Sequence, residues 1–201
     1  MRKLSGFRPA AAALILLLGG GVGAACSSGG DDIGARPARR PAGYFDTQTL
    51  LNAQVQRLQR QRPALEKRVM LRDALPETAK LPQPDWAREL QLFYQADINK
   101  PALRGAYQVL TSDSAGFTRR IFRRLPEVDH PVLALEVVQD DSVVRELRAT
   151  LEQRNPLFFS GKKLQLRFGA DGLLSDYEVQ GRQKLVGFDT TRYVSSARVL
   201  R

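Results

Sequence analysis

Val143-Val144-Arg145-Glu146-Leu147-Arg148-Ala149-Thr150-Leu151 is the stretch that decides the fold, because its side chains divide by parity. Successive side chains of an extended chain point to opposite faces, so Val143, Leu147, Ala149 and Leu151 share one side while Glu146, Arg148 and Thr150 share the other. A sheet with one dry and one wet face follows. The same division recurs downstream: Leu164, Leu166 and Phe168 oppose Lys163, Gln165 and Arg167, and Tyr177 and Val179 oppose Asp176, Glu178 and Gln180.

From Leu103 onward such alternating segments are separated by turn signals, the pattern of an antiparallel meander. Strands are expected at residues 106–111, 117–124, 132–139, 143–151, 157–168, 173–180 and 192–200. Their connections, Ser112 to Gly116, Gln139 to Ser142 and Gly169 to Gly172, are short enough for hairpins, and Asp171-Gly172 is a strong turn dipeptide. Neighbouring strands should therefore pair in order. The last segment, from Thr191 to Leu200, carries apolar residues on both faces and is expected to be more enclosed.

Upstream the period lengthens. Asp46 to Gln61 reads as a helix with Asp46 or Thr47 as N-cap, Leu51, Val55 and Leu58 on one face, and Pro63 as its stop. Residues 64–72 return to a period of two and suggest a strand. Pro76, Pro82 and Pro84 make residues 75–84 a connector that is neither helix nor central strand. Asp85 then caps a second helix to Ala96, with Trp86, Leu90 and Phe93 at i, i+4 and i+7. Trp86 on such a stripe is read as core in preference to a ligand pocket. The expected fold class is thus α+β: a curved antiparallel β-meander of about six or seven strands, with two N-terminal helices packed on its dry face.

The beginning of the chain carries different information. Arg2, Lys3 and Arg8 precede an unbroken apolar run from Ala10 to Leu18, the layout of an export signal. That run is too short to span a bilayer, which needs roughly 20 apolar residues. It leads to Gly23-Ala24-Ala25-Cys26, which resembles the lipobox of bacterial lipoproteins, although Gly23 stands where Leu is usual and Val22 falls one step early. Residues 1–25 are therefore expected to be a signal peptide and Cys26 the lipidated first residue. Residues 26–43 hold only Ile33 as a sizeable apolar side chain and should form a disordered tether to a single domain over 44–201.

Composition narrows the chemistry. Cys26 is the only cysteine of the 201 residues, which excludes an intramolecular disulfide and a cysteine-based metal site. The formal charge of +10 falls to about +7 once Arg2, Lys3 and Arg8 leave with the signal. Outside the cytoplasm, a basic surface meets anionic lipid or acidic polysaccharide rather than nucleic acid. A solvated sheet face accounts for most of the arginines. The densest basic group, Arg119, Arg120, Arg123 and Arg124, falls in one strand and would populate both faces; it suggests an edge strand protected by charge or, second, an anionic-surface contact.

The lone His130, before Pro131, is read as a loop residue, and without a second histidine no His-based metal cluster can form. No Ser-His-Asp relay is expected around His130, and no nucleotide, zinc-protease or calcium-loop motif occurs, so neither a metal nor a cofactor is expected. Asp129, Asp140 and Asp141 sit in turns, where Asp is favoured for backbone reasons, rather than as a glycosidase pair.

Beyond the signal and Cys26, the chain presents Asp85-Trp86, Glu89-Leu90, Phe93, Ala96-Asp97-Ile98-Asn99-Lys100-Pro101, Gly105 and Tyr107. On these residues it resembles a family of uncharacterised Bacteroidetes-type lipoproteins. The resemblance implies an anchored envelope domain and transfers no activity. The expectation is a non-enzymatic structural or interaction module, lipid-anchored at the periplasmic face of the outer membrane because Ser27, not Asp, follows Cys26. Its partners would be the membrane itself and an anionic lipid or an envelope protein; the oligomeric state stays open. The alternative is a carrier or chaperone for a lipid or other hydrophobic ligand, which would need an apolar cavity between sheet and helices. An enzyme acting on envelope polysaccharide would need convergent carboxylates.

Overall fold

The computed structural model describes residues 43–72 and 74–201. The expected signal peptide, Cys26 and residues 26–42 of the tether lie outside the described residues.

The first helix, α1 (Thr47–Gln61), starts where the side chain of Asp46 accepts hydrogen bonds from the Thr49 N–H at 2.9 Å and the Thr49 hydroxyl at 2.8 Å. It stops at Arg62, which turns left-handed (φ 48°) while its N–H still reaches Leu58 O at 2.8 Å; Pro63 forbids a further turn. Two strands follow, β1 (Ala64–Leu71) and β2 (Glu77–Leu81). The second helix, α2 (Trp86–Leu90), is capped by Asp85 as expected, but after one turn the chain tightens to a 3₁₀ helix over Gln91–Ala96, with another short one at Pro101–Leu103. The remaining strands are β3 (Tyr107–Ser114), β4 (Phe117–Arg124), β5 (Val132–Asp140), β6 (Val143–Arg154), β7 (Phe158–Phe168), β8 (Leu174–Leu185) and β9 (Thr191–Leu200).

All nine strands form one open antiparallel sheet in the order β2-β1-β9-β8-β7-β6-β5-β4-β3. From β3 to β9 neighbours pair in sequence order, as the turns implied. Two expectations need correction. The sheet has nine strands rather than six or seven, because β1 and β2 add to it. The helices are not an N-terminal pair either: β1 and β2 separate them, and the second is a single α turn extended by 3₁₀ geometry. Residues 77–81, expected to connect, form an edge strand whose first four residues are exposed, so no apolar alternation marks them.

The meander's parity is largely as read. Leu147, Ala149 and Leu151, Leu164, Leu166 and Phe168, and Tyr177 and Val179 are buried with Leu51, Leu58, Trp86, Leu90 and Phe93 in one core. One residue is misplaced by parity. A bulge at Arg145 shifts the register between β5 and β6, so Gln139 faces Val144, and Val144, not Val143, packs against the core. The segment Thr191–Leu200 is indeed enclosed, lying between β1 and β8.

Polar ties fix the helices on the sheet. Gln54, buried on α1, donates to Gly172 O at 2.9 Å and accepts from the Leu174 N–H at 3.0 Å, clasping the β7–β8 turn from both sides. Glu89 on α2 pairs with Lys67 of β1 at 2.8 Å and accepts the Tyr177 hydroxyl of β8. Burial and the adjacent Glu89 carboxylate both push the Tyr177 hydroxyl pKa up, keeping it a donor.

Candidate interaction surface

The sheet separates the four arginines of β4 rather than gathering them. Arg120 and Arg124 share parity with buried Phe122 and lie on the helix side; Arg119 and Arg123 lie on the open side. The Arg120 guanidinium donates to Gln139 and sits 5.7 Å from the Phe45 ring centroid. Arg124 donates to His130 O. Arg119 pairs with Glu136 at 2.8 Å and is the only one of the four in an ion pair among the described residues. The expectation of an edge strand is corrected too: β4 is second from the edge, and β3 is the edge. The division between faces is the one that strand parity implied.

Arg119 belongs instead to a ladder crossing five strands of the open face. Its partner Glu136 also receives Arg148 at 3.2 Å; Arg148 reaches Glu146 at 2.7 Å; Arg167 lies 3.8 Å from Glu146 and 2.7 Å from Asp176. Three guanidinium groups thus alternate with three carboxylates, so the charges of this ladder are matched within it. That is the solvated face the alternation suggested.

The other acidic and imidazole candidates are likewise engaged. Asp140 pairs with Arg145 at 2.6 Å beside the Asp141 turn residue (φ 51°), so the two neighbouring carboxyls serve a hairpin. Nδ1 of His130 lies 2.8 Å from the Tyr107 hydroxyl, which also donates to Val132 O at 2.8 Å. Burial pushes the Tyr107 pKa up to about 12. Trp86 is core, 1 % exposed, with its indole N–H unpartnered among the described residues. No group of three or more His, Cys, Asp or Glu side chains that could hold a metal occurs among the described residues.

Four large exposed apolar side chains gather at one end of the sheet. Strands β6 to β9 run on past the row in which Val132 faces Leu151 and Lys162 faces Gly181, and end in two hairpins. Four residues from Lys162 to Phe158, at about 3.4 Å each, make a projection of roughly 13 Å. At its tip Leu157 is 71 % exposed, Leu185 55 %, Val186 66 % and Phe188 70 %. They are held together: the Val186 N–H reaches Leu157 O at 3.0 Å, the Phe188 N–H reaches Leu185 O at 3.1 Å, and Phe158 faces Leu185 in register. Beside them a groove of about 650 Å³ is lined by Arg72, Phe158, Gln183, Leu185, Phe188 and Thr191 among others.

Cations surround this tip. Arg154, Arg182, Lys184 and Arg192 share the open-face parity, and Arg72 adjoins β9 through its N–H to Arg192 O at 2.7 Å. All five are exposed. Phe159 lies between two of them, with the guanidinium carbons of Arg154 and Arg182 at 5.1 and 4.8 Å from its ring centroid. Gly161 leaves room for this stack, since a Cβ there would meet Arg182 Nε and the Phe159 ring at 3.2 Å. Arg154 has a loose pairing with Glu152 at 3.5 Å; Arg72, Arg182, Lys184 and Arg192 join no ion pair among the described residues. Among the described residues the acids nearby are Glu152 and the exposed Asp189.

None of these residues stood out in the sequence. Leu185-Val186-Gly187-Phe188 does carry a signal, an apolar cluster around a glycine at a hairpin tip with no alternation to direct it inward. Comparison with known proteins adds nothing to the geometry: no protein-family model, no curated protein and no solved structure matches the chain.

Proposed function

We propose that the chain is an envelope lipoprotein of bacterial type, anchored through lipid on Cys26 at the periplasmic face of the outer membrane, whose folded domain is a non-catalytic interaction module. The export signal, the small residues before Cys26 and Ser27 after it support the anchor. The observation that carries the interaction reading is the projecting tip: four large apolar side chains, each more than half exposed, gathered on two neighbouring hairpins and held in place by backbone hydrogen bonds. A fold does not hold such a cluster in water without cost, and exposed apolar patches with a polar rim commonly mark contact sites.

The carrier alternative is the weaker reading. Its cargo would lie between sheet and helices, and that space is occupied by Leu51, Trp86, Leu90 and Phe93 packed on the sheet, each at most 1 % exposed. Metabolic labelling with a fatty-acid analogue tests the anchor. Incorporation into the parent and its loss in Cys26→Ala, with movement of the protein out of the membrane fraction, is the expected result. An unlabelled parent, or label that survives the substitution, would overturn it. Two or more acyl chains are expected on mass spectrometry of the N-terminal peptide, because one chain holds only marginally.

A further inference from the structure

We infer that the projecting end of the sheet is itself a membrane-docking surface, a second contact that inserts Leu157, Leu185, Val186 and Phe188 into the interface of an anionic lipid layer. The inference deepens the interaction reading above by naming the partner, and it stands independently of the lipid on Cys26.

Charge and depth both point to a lipid surface. The cations form a collar behind the apolar tip, not a patch beside it. Lys184 and Arg154 pair with Phe159, one residue back from the Phe158–Leu185 row, while Arg182 and Arg192 pair with each other three residues back from Leu185. At about 3.4 Å per residue these charges sit roughly 3–10 Å behind the apolar row. An interfacial segment buries its apolar face about 5–10 Å into the headgroup and acyl boundary, so a tip inserted to that depth brings the collar level with the phosphates. Five exposed cations against Glu152 and Asp189 leave the described collar positive. Cations also flank the tip on both faces of the sheet, with Arg154, Arg182, Lys184 and Arg192 on the open face and Lys162, which shares the parity of Leu164, on the other, where it lines the groove with Phe158 and Leu185. A blade entering a fluid surface needs charge on both flanks; a protein docking to one face would use only one.

The stack of Arg154 and Arg182 on Phe159 gives the collar rigidity. Both guanidinium groups are held against one ring while their N–H donors stay exposed, ready for bidentate contact with phosphate. The β-hairpin backbone supplies the stiffness below, so the tip pays little ordering entropy on insertion.

The test uses the full chain carrying Cys26→Ala, so that no acyl chain contributes, and vesicles of phosphatidylcholine with or without an equal share of phosphatidylglycerol. In this background Phe188→Trp places a reporter at the tip, the native Trp86 being buried. Its emission should shift to the blue and be quenched by lipids brominated in the acyl chain, with phosphatidylglycerol present and far less without it. Each cation near an anionic leaflet is worth about fivefold in affinity, so the triple change Arg182→Gln, Lys184→Gln and Arg192→Gln should weaken tip insertion by about a hundredfold and remove most of its salt dependence. Leu185→Ser with Val186→Ser should abolish quenching while leaving the thermal unfolding of the domain in place, since both side chains are exposed.

A tip reporter that stays unquenched in phosphatidylglycerol vesicles overturns the inference, even where the chain sediments with them through its N-terminal segment. So does quenching that ignores the cation changes. Concentration-dependent dimerisation abolished by Phe188→Asp, without lipid insertion, would assign the tip to a second copy of the chain. In each of those cases fatty-acid labelling of Cys26 still reports on the anchor, which keeps the two failures apart.

Discussion

On β7 the side chains Leu164, Leu166 and Phe168 lie under the helices and are at most 7 % exposed, whereas Phe158, on the same face at the start of the strand, lies beyond the helical cover and is half-buried. Nearby at the hairpin tip, Leu185 and Phe188 are mostly bare. The strand's hydrogen bonding is continuous through both regions; only the covering layer stops. The difference teaches that the helices, not the sheet, define where the core ends. A β-ladder can carry apolar residues well past the point at which anything packs on them, and there they become available to something else.

The largest expected effect separates the two regions directly. Phe93→Ala should cost about 3–5 kcal/mol in urea unfolding, because the ring is fully buried and its edge meets Tyr177 at a centroid distance of 5.5 Å. Phe188→Ser should change stability by less than about 0.5 kcal/mol. Comparable losses would mean that the projecting end is part of the core after all.

Gly181 tests the boundary between them. Tyr193 of β9 lies across it, and a Cβ at Gly181 would come 2.1 Å from the Tyr193 ring, so Gly181→Ala must displace that ring. A loss of about 1–3 kcal/mol is expected. Pairing it with Tyr193→Ala should be clearly less costly than the two single changes added together, because the clash is then gone. Full additivity would break the claim that the aromatic ring shields the glycine and closes off the covered half.

The smallest effect concerns His130, beside the last covered row. Burial, with help from Lys100 and Arg124 and against Asp129, holds its pKa below the ordinary 6.5. A histidine kept neutral by the fold binds fewer protons than in the unfolded chain. Its contribution is therefore fully present above pH 6.5 and declines as the pH falls from there through the lower folded value. The melting temperature should fall on acidification across that window, and His130→Asn should flatten this part of the profile. An unchanged slope would remove His130 from the account.

How far these features could be read in the chain depended on what each residue packs against. Leu164 to Phe168 and Tyr177 to Val179 announced their faces because each apolar residue met the core and each polar one met water. Strand β2 was invisible, since four of its five residues face solvent and nothing selects for alternation at an exposed edge. The bulge at Arg145 was hidden for a different reason: register is a property of two strands, and one strand's parity cannot reveal an extra residue opposite its partner. The basic residues of β4 divide between the two faces, as their place in one strand implied, so their density along the chain makes no single patch in space. At the tip the reverse holds, where Leu157 and Val186 come together only through the pairing of β7 with β8.

Strand β1 finds its neighbours in β2 and in β9, the last strand, with Ala64 opposite Leu200 and Leu71 opposite Tyr193. A ribosome or an export channel delivering this chain from its N-terminus would therefore release β1 long before the strand that joins it to the main body of the sheet. The early hairpin must wait as a half-formed guest, and the ten residues of β9, Thr191–Leu200, act as a latch that joins it to the sheet in one late step.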